Sequence, residues 1–358
     1  MFALGPHGFG IGSGSGNAQI GQLHPNLERP EGCNHGQELL RDRLWGAATL
    51  REERWSVDWQ RVQFISLEGT VACMICESDR AQPVWRRGNM RIDECKGCGV
   101  FFTANRPTEE EMMRLYNGHA LIGERPDPLA KEEGQQPAWK MVEHERLLDR
   151  LARLGMTSGT LLDVGCFSGV FLSNARNRGF ECTGVEPNED AYLHLRNAQE
   201  FEVVHGSLKS AHFGAKSFSV VSFLDVIEHI PDPVGELRET FRIIRPGGWL
   251  ILTTPNVRGL PQRVVKAQRW FTGQPFCPID DVPWHLWGFT RASMARCVEK
   301  AGFTVKDISW LEPSPLSTNE GAGSTPTKRI GLRLVAKASK RLGMSDRMAL
   351  FAQKPPQG

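Results

Sequence analysis

The sequence predicts an α/β fold: a doubly wound, mostly parallel sheet of seven strands, preceded by a small cysteine-rich ribbon. Three observations carry that expectation. Short apolar, β-prone runs alternate with amphipathic helical stretches from residue 158 to the end. A glycine turn, GCFSG over 165–169, joins the first of these runs to a helix. Upstream lie two C-x-x-C pairs, Cys73 with Cys76 and Cys95 with Cys98.

The glycine turn organises the chain. Leu161, Leu162 and Val164 read as a buried parallel strand, and Val170, Phe171, Leu172 and Ala175 give the following helix one apolar face. A second strand over 182–185 ends at Glu186, which lies 23 residues past Asp163. A glycine turn opening a helix lets backbone N–H groups approach a ligand. A strand-end carboxylate near that spacing can accept two ribose hydroxyls. The unit therefore reads as nucleotide-binding, and the turn is G-x-x-x-G, not the G-x-G-x-x-G that a pyrophosphate needs.

The remaining strands are expected over 201–204, 218–224, 249–253, 304–310 and 348–353. Between them lie helices over 190–198 and 233–244, one capped by Thr290, and a basic amphipathic helix over 329–342. Residues 258–287 read as an insertion with aromatic and basic residues, and 313–327 as a loop. The expected organisation is an N-terminal extension over 1–66, its first 35 or so residues disordered, a ribbon over 67–106, a helical connection over 107–157, and the large domain over 158–358. Thr108 and Glu111 form a capping box within that connection.

Composition narrows the function. With 40% hydrophobic and 23% charged residues the chain reads as an ordinary globular protein, and a formal net charge of +2 makes no electrostatic case for nucleic acid. No apolar run is long enough to cross a bilayer, and the Gly/Ser-rich start lacks the features of a secretory signal. A cytoplasmic location is expected. The cysteine pairs are separated by 18 residues, a spacing that fits a four-thiolate zinc site. Four sulfurs leave no open position, so Cys73, Cys76, Cys95 and Cys98 are expected to hold a structural Zn²⁺.

Five stretches together carry a resemblance. LLDVGCFSG over 161–169, GVEP over 184–187, FLDVIEH over 223–229, IRPGGWLIL over 244–252 and HLWGFT over 285–290 resemble the motifs of class I S-adenosylmethionine-dependent methyltransferases. The cysteine module, with CGVFF over 98–102 and RPTEE over 106–110, is similar to the zinc module often fused to this subgroup. The resemblance implies a Rossmann-like methyltransferase sheet with S-adenosylmethionine as donor. Asp163, Gly165, Cys166 and Gly169 would line the turn beside the methionine part, and Glu186 would hold the ribose. Ser207 and Leu208 would lie near the adenine, and Asp225 would complete the donor site. Phe167 stands where the family usually has a central glycine.

A hydroxyl acceptor also needs a base with a pKa near neutrality, and His229 and His285 are the candidates. Asp225, Glu228 and His229 could instead share a helix face and hold a cation, as a similar run does in quinone-biosynthesis O-methyltransferases. Helix capping by Asp225 and Glu228 is the preferred reading. The expected acceptor is a small molecule: a sugar, a quinone precursor or another secondary metabolite, methylated on oxygen or carbon. An RNA methyltransferase and a non-catalytic scaffold are the rival readings. The basic helix over 329–342 reads as a solvated face, with peripheral membrane contact as its functional alternative. Zinc removal is expected to unfold the ribbon and spare the larger domain.

Overall fold

A computed structural model describes residues 72–87, 90–105, 112, 138–198, 201–279, 282, 284–311 and 326–357. The N-terminal extension, the Thr108–Glu111 capping box and most of the 313–327 loop lie outside the described residues.

The large sheet has seven strands. In chain order they are β4 (Gly159–Val164), β5 (Phe180–Glu186), β6 (Glu202–His205), β7 (Phe218–Leu224), β8 (Ile244–Pro255), β10 (Thr304–Trp310) and β11 (Arg347–Gln353). Their spatial order is β10-β11-β8-β7-β4-β5-β6, and β11 alone runs antiparallel to both neighbours. Strand order reverses between β4 and β7, which pair in parallel from Leu161 with Val220 to Val164 with Phe223. A ligand crevice opens outside the carboxyl ends at such a switch point.

The apolar runs explain the layers. In β7, Phe218 to Phe223 are all buried, as a central strand covered on both faces requires. Helix α1 (Ala138–Arg153) buries Leu147, Leu148 and Leu151 in the same core as Leu161, Phe171 and Phe351. Helices α2 (Val170–Asn177), α3 (Glu189–Ala198) and α4 (Pro233–Ile243) are the crossovers between parallel strands. Asp232 caps α4 by accepting from the Gly235 N–H at 2.9 Å. Helix α6 (Arg291–Lys300) opens with the expected Thr290 cap, in a box completed by Ser293.

A second sheet orders β1 (Ala81–Arg87), β2 (Met90–Cys95), β3 (Phe101–Thr103) and β9 (Trp287–Gly288). The last of these comes from the large domain. It pairs with β3 through Phe101–Gly288 and Phe102–Trp287, and Cys73, Ile75, Val100 and Phe102 share one core with Trp287 and Phe289. The ribbon strands and the large domain therefore share one sheet and one core among the described residues. Two-residue β9 has too little pattern to be read as a strand.

Three further expectations change. Residues 258–287 are not just an insertion, because they hold helix α5 (Leu260–Thr272). Helix α7 (Pro326–Arg341) begins inside the expected loop, and α5 and α7 pack against each other. Lastly, the turn at Ile227–His229 is a single 3-10 turn whose N-cap is Val226 with no side-chain cap. Asp225 therefore caps nothing, and Glu228 completes no capping box.

Candidate active site

The turn after β4 is built from left-handed backbone. Gly165 and Gly169 both have φ of +71°, and Phe167, between them, has +45°. A Cβ at Gly165 would come 2.7 Å from Val226, and one at Gly169 would come 2.7 Å from Leu195. Packing as well as ligand approach thus fixes glycine at both positions. Phe167 holds a conformation that disfavours bulky residues, at the place where glycine would be unstrained. Its N–H donates to Glu186 Oε2 at 2.8 Å, and the Asn188 N–H donates to Oε1 at 2.8 Å.

Glu186 is buried and turned toward this turn. Burial raises its carboxyl above the usual range despite the two backbone donors. Each carboxylate oxygen has a lone pair left after those bonds, so a vicinal diol could be received there. Asp163 lies beneath the turn, where it accepts from Ser222 Oγ at 2.6 Å; burial pushes its carboxyl up to about 7. Cys166 packs its thiol against Gly184 and Leu172, so its side chain belongs to the core. Ser207 is exposed and exchanges bonds with Ser210, and Leu208 is buried.

Asp225 follows β7 in left-handed backbone, with φ of +58°. Its carboxylate pairs with Arg347 at the start of β11, and it accepts from Thr253 Oγ1 at 3.1 Å. Arg347 also pairs with Glu143 of α1 at 2.5 Å. Burial works against the charge on Asp225, but the guanidinium prevails and holds the carboxyl down to about 2. Glu143 and Arg347 escaped the sequence reading. The available signal was a lone arginine at the head of an otherwise apolar strand, RMALFAQ.

One turn further on, two sequence candidates meet. His229 and His285, 56 residues apart, stack edge to face with ring centroids 4.6 Å apart. His229 Nδ1 lies 3.0 Å from the Trp284 carbonyl oxygen. A carbonyl only accepts, so Nδ1 carries the proton and Nε2 is left as the basic nitrogen. Glu228 joins them: one donor atom each from Glu228, His229 and His285 lie within 4.8 Å of one another. The Glu228 carboxyl is fully buried and accepts from Thr254 Oγ1 at 3.1 Å, while its Oε1 has no partner among the described residues. Burial and the nearby Asp225 charge push it up to about 8, so it is largely protonated at neutral pH. The alternative cation trio of Asp225, Glu228 and His229 is not the one assembled here, because Arg347 holds Asp225 and His285 stands beside the other two.

The four cysteines also converge. Cys73 and Cys98 place their sulfurs 3.7 Å apart, and Cys76 and Cys95 3.4 Å apart, with all four within 4.8 Å. Sulfurs about 2.3 Å from a shared tetrahedral ion lie roughly 3.8 Å apart, whereas a disulfide needs about 2.05 Å. The Cys73–Cys98 hydrogen bond lowers the Cys73 thiol and raises that of Cys98, as two thiols sharing one proton must. Lys300 of α6 donates to the Met74 carbonyl at 2.8 Å and pairs with Glu77, clamping the first knuckle to the large domain.

A family model described as a methyltransferase domain matches residues 139–308. The ubiquinone biosynthesis O-methyltransferase of Pseudomonas paraeruginosa is 33% identical over 174 residues, covering 46% of this chain and 73% of that protein. The protein of that name from Aeromonas salmonicida is 28% identical over 172 residues, covering 46% and 70%. A crystal structure of an S-adenosylmethionine-dependent methyltransferase from Archaeoglobus fulgidus superposes with a TM-score of 0.44 at 22% identity, covering 63% of this chain and 99% of that one. Among the described residues no helix is long and apolar enough to cross a membrane. With a seven-stranded sheet of this order, a glycine turn facing a strand-end glutamate and relatives of this kind, the chain belongs to the class I S-adenosylmethionine-dependent methyltransferases.

Proposed function

We propose that this methyltransferase methylates a hydroxyl of a small, hydroxylated acceptor, with His229 as the base and a structural zinc ion in the four-cysteine cluster. The observation that carries the reading is the meeting of Glu228, His229 and His285 beside the glycine turn. Val226, three residues before His229, packs directly on Gly165. The bound donor supplies a methyl group already activated on a sulfonium. The chain's own work is then to align the acceptor, exclude water and take one proton.

Each residue has a definable part. Glu186 accepts the two ribose hydroxyls. His229 Nε2 takes the acceptor's proton as the new oxygen–carbon bond forms, while the Trp284 carbonyl fixes the ring. Protonated Glu228 offers a hydrogen-bond donor within the cluster, and His285 buttresses the His229 ring. Four thiolates would satisfy Zn²⁺ fully and give it a structural part only. The O-methylation in ubiquinone biosynthesis named for these relatives makes phenols and catechols the first acceptors to try.

The test is methyl transfer to a panel of phenols, catechols and sugars, read by mass spectrometry. Product is expected with a phenolic acceptor, and His229→Gln should lower turnover by about 10²-fold with donor affinity unchanged. Turnover at wild-type level in that variant would remove His229 as the base. Donor binding is tested separately. Glu186→Ala should weaken S-adenosylmethionine binding by about 1.5–3 kcal/mol in calorimetry. Because Glu186 also ties down the Phe167 and Asn188 amides, Glu186→Gln serves as the partner variant that keeps one acceptor oxygen. Unchanged affinity in both would dismiss the ribose contact.

A further inference from the structure

In the corner between helix α1 and the edge of the large sheet we infer a binding site for a small aromatic anion, a carboxylate or sulfonate on an aromatic body. It is separate from the donor crevice and independent of the acid–base chemistry proposed for His229. The topology opens it. Strand β10 stands at the sheet's edge, whereas α1 packs through Leu147, Leu148 and Leu151 in one core with Leu161, Val220 and Ile251 of the inner strands. Helix α7, which lies between β10 and β11 in the chain, packs on α5 and lines this corner through Lys340. A cavity of about 620 Å³ remains, within the range that holds small ligands.

Leu147, Trp310, Leu311 and Phe351 give the cavity apolar walls. The rest of the lining is largely cationic. Arg146, Arg150 and Arg153 stand at i, i+4 and i+7 of α1, hence on one face, and Lys340 joins them from α7. Like charges at that spacing disfavour a helix, and an anion among them removes the penalty. Glu143 is the acidic group among the described lining residues, and Arg347 holds it at 2.5 Å. Asp307 pairs with Arg150 at 2.7 Å. Even with those partners and Asp225 counted, five cations face three carboxylates among the described residues.

The class of ligand follows from this lining. Apolar walls call for an uncharged body, and the rings of Trp310 and Phe351 favour a flat aromatic one. Guanidinium groups grip paired anionic oxygens and stack on aromatic faces, so the charged group belongs at the arginine ladder. A polyphosphate fits less well. Arg153 and Lys340 lie in the last turns of α1 and α7, where the helix ends carry partial negative charge that offsets part of the cationic excess. One anionic group matches what is left. Glu186, Glu228, His229 and His285 do not line the cavity, so it is not the place of methyl transfer.

Fluorescence titration of the full chain with anilinonaphthalene sulfonate tests this, with S-adenosylhomocysteine present to fill the donor crevice. Saturable binding is expected. Phenylnaphthylamine, the same ring system without the sulfonate, should bind about tenfold more weakly or worse, the worth of one charge-assisted hydrogen bond. Arg146→Ala with Arg153→Ala should weaken the sulfonate by about tenfold. Ser309→Phe, which narrows the cavity, should weaken both probes. Arg146 and Arg153 are exposed, so an unchanged urea midpoint is expected for their variant, which decides the matter should Ser309→Phe fail to fold. Hydrogen exchange locates the ligand, with protection expected over 142–153 and 304–311. The inference is overturned by any of four results: no saturable binding, equal affinity for the neutral probe, indifference to the arginine substitutions, or protection over 260–272 in place of those segments.

Discussion

Replacing Arg347 with methionine is expected to destabilise the protein by about 3–5 kcal/mol in urea unfolding, more than any other single exchange near the site. The guanidinium is buried and bridges Glu143 of α1 to Asp225 after β7, so its removal strands the buried Glu143 carboxylate and leaves the half-buried Asp225 without its cation. The expected size follows from the uncompensated charge, not from the modest net worth of an intact buried pair. A pH dependence accompanies it. Asp225 is held at about 2, below its ordinary value of 3.8, so its contribution is fully present above pH 4 and is lost as the pH falls through 2. Asp225→Asn should flatten that part of the stability curve. An Arg347→Met protein as stable as wild type would mean that the bridge does not hold these elements together.

Metal removal is the second large effect. Chelation of the full chain should release one zinc ion and unfold more than the ribbon, because binding free energy for four thiolates is folding free energy. The four-stranded sheet shares strand β9 with the large domain, and His285 immediately precedes that strand's neighbourhood at Leu286 and Trp287. The Thr103 N–H donates to the Leu286 carbonyl at 2.9 Å, which ties the ribbon to the segment carrying His285. Hydrogen exchange over 284–290 should accelerate on chelation together with exchange over β2 and β3. The S-adenosylmethionine binding proposed for Glu186, on the other side of the sheet's switch point, should persist. Exchange confined to the ribbon would restore the view of two independent units.

Much of the large sheet was legible because each strand carries its own signal. The apolar run of β7 and the turn residues 165–169 fix strand and helix locally, and spacing alone puts Glu186 at the next strand end. The cysteine cluster was legible for a similar reason, since tetrahedral sulfur chemistry demands paired ligands at short spacing. Asp225 and Glu228 were misread as caps. Their sequence fits a capping box, but capping depends on the conformation of Val226 and on Arg347, which lies 122 residues from Asp225. Strand β9 was missed because two residues have no periodicity, and only the exposed edge of β3 makes them a strand.

The sequence by itself determined the order of strands and helices, the glycine turn with its distant glutamate, and the four sulfurs. These depend on local periodicity and fixed spacing, which the chain carries wherever it folds. Tertiary structure alone decided that His229 meets His285, that Arg347 claims Asp225, and that the ribbon borrows a strand. Those pairings join residues far apart in the chain, and what selects them is burial: a charge or a sheet edge shielded from water must find its partner in space.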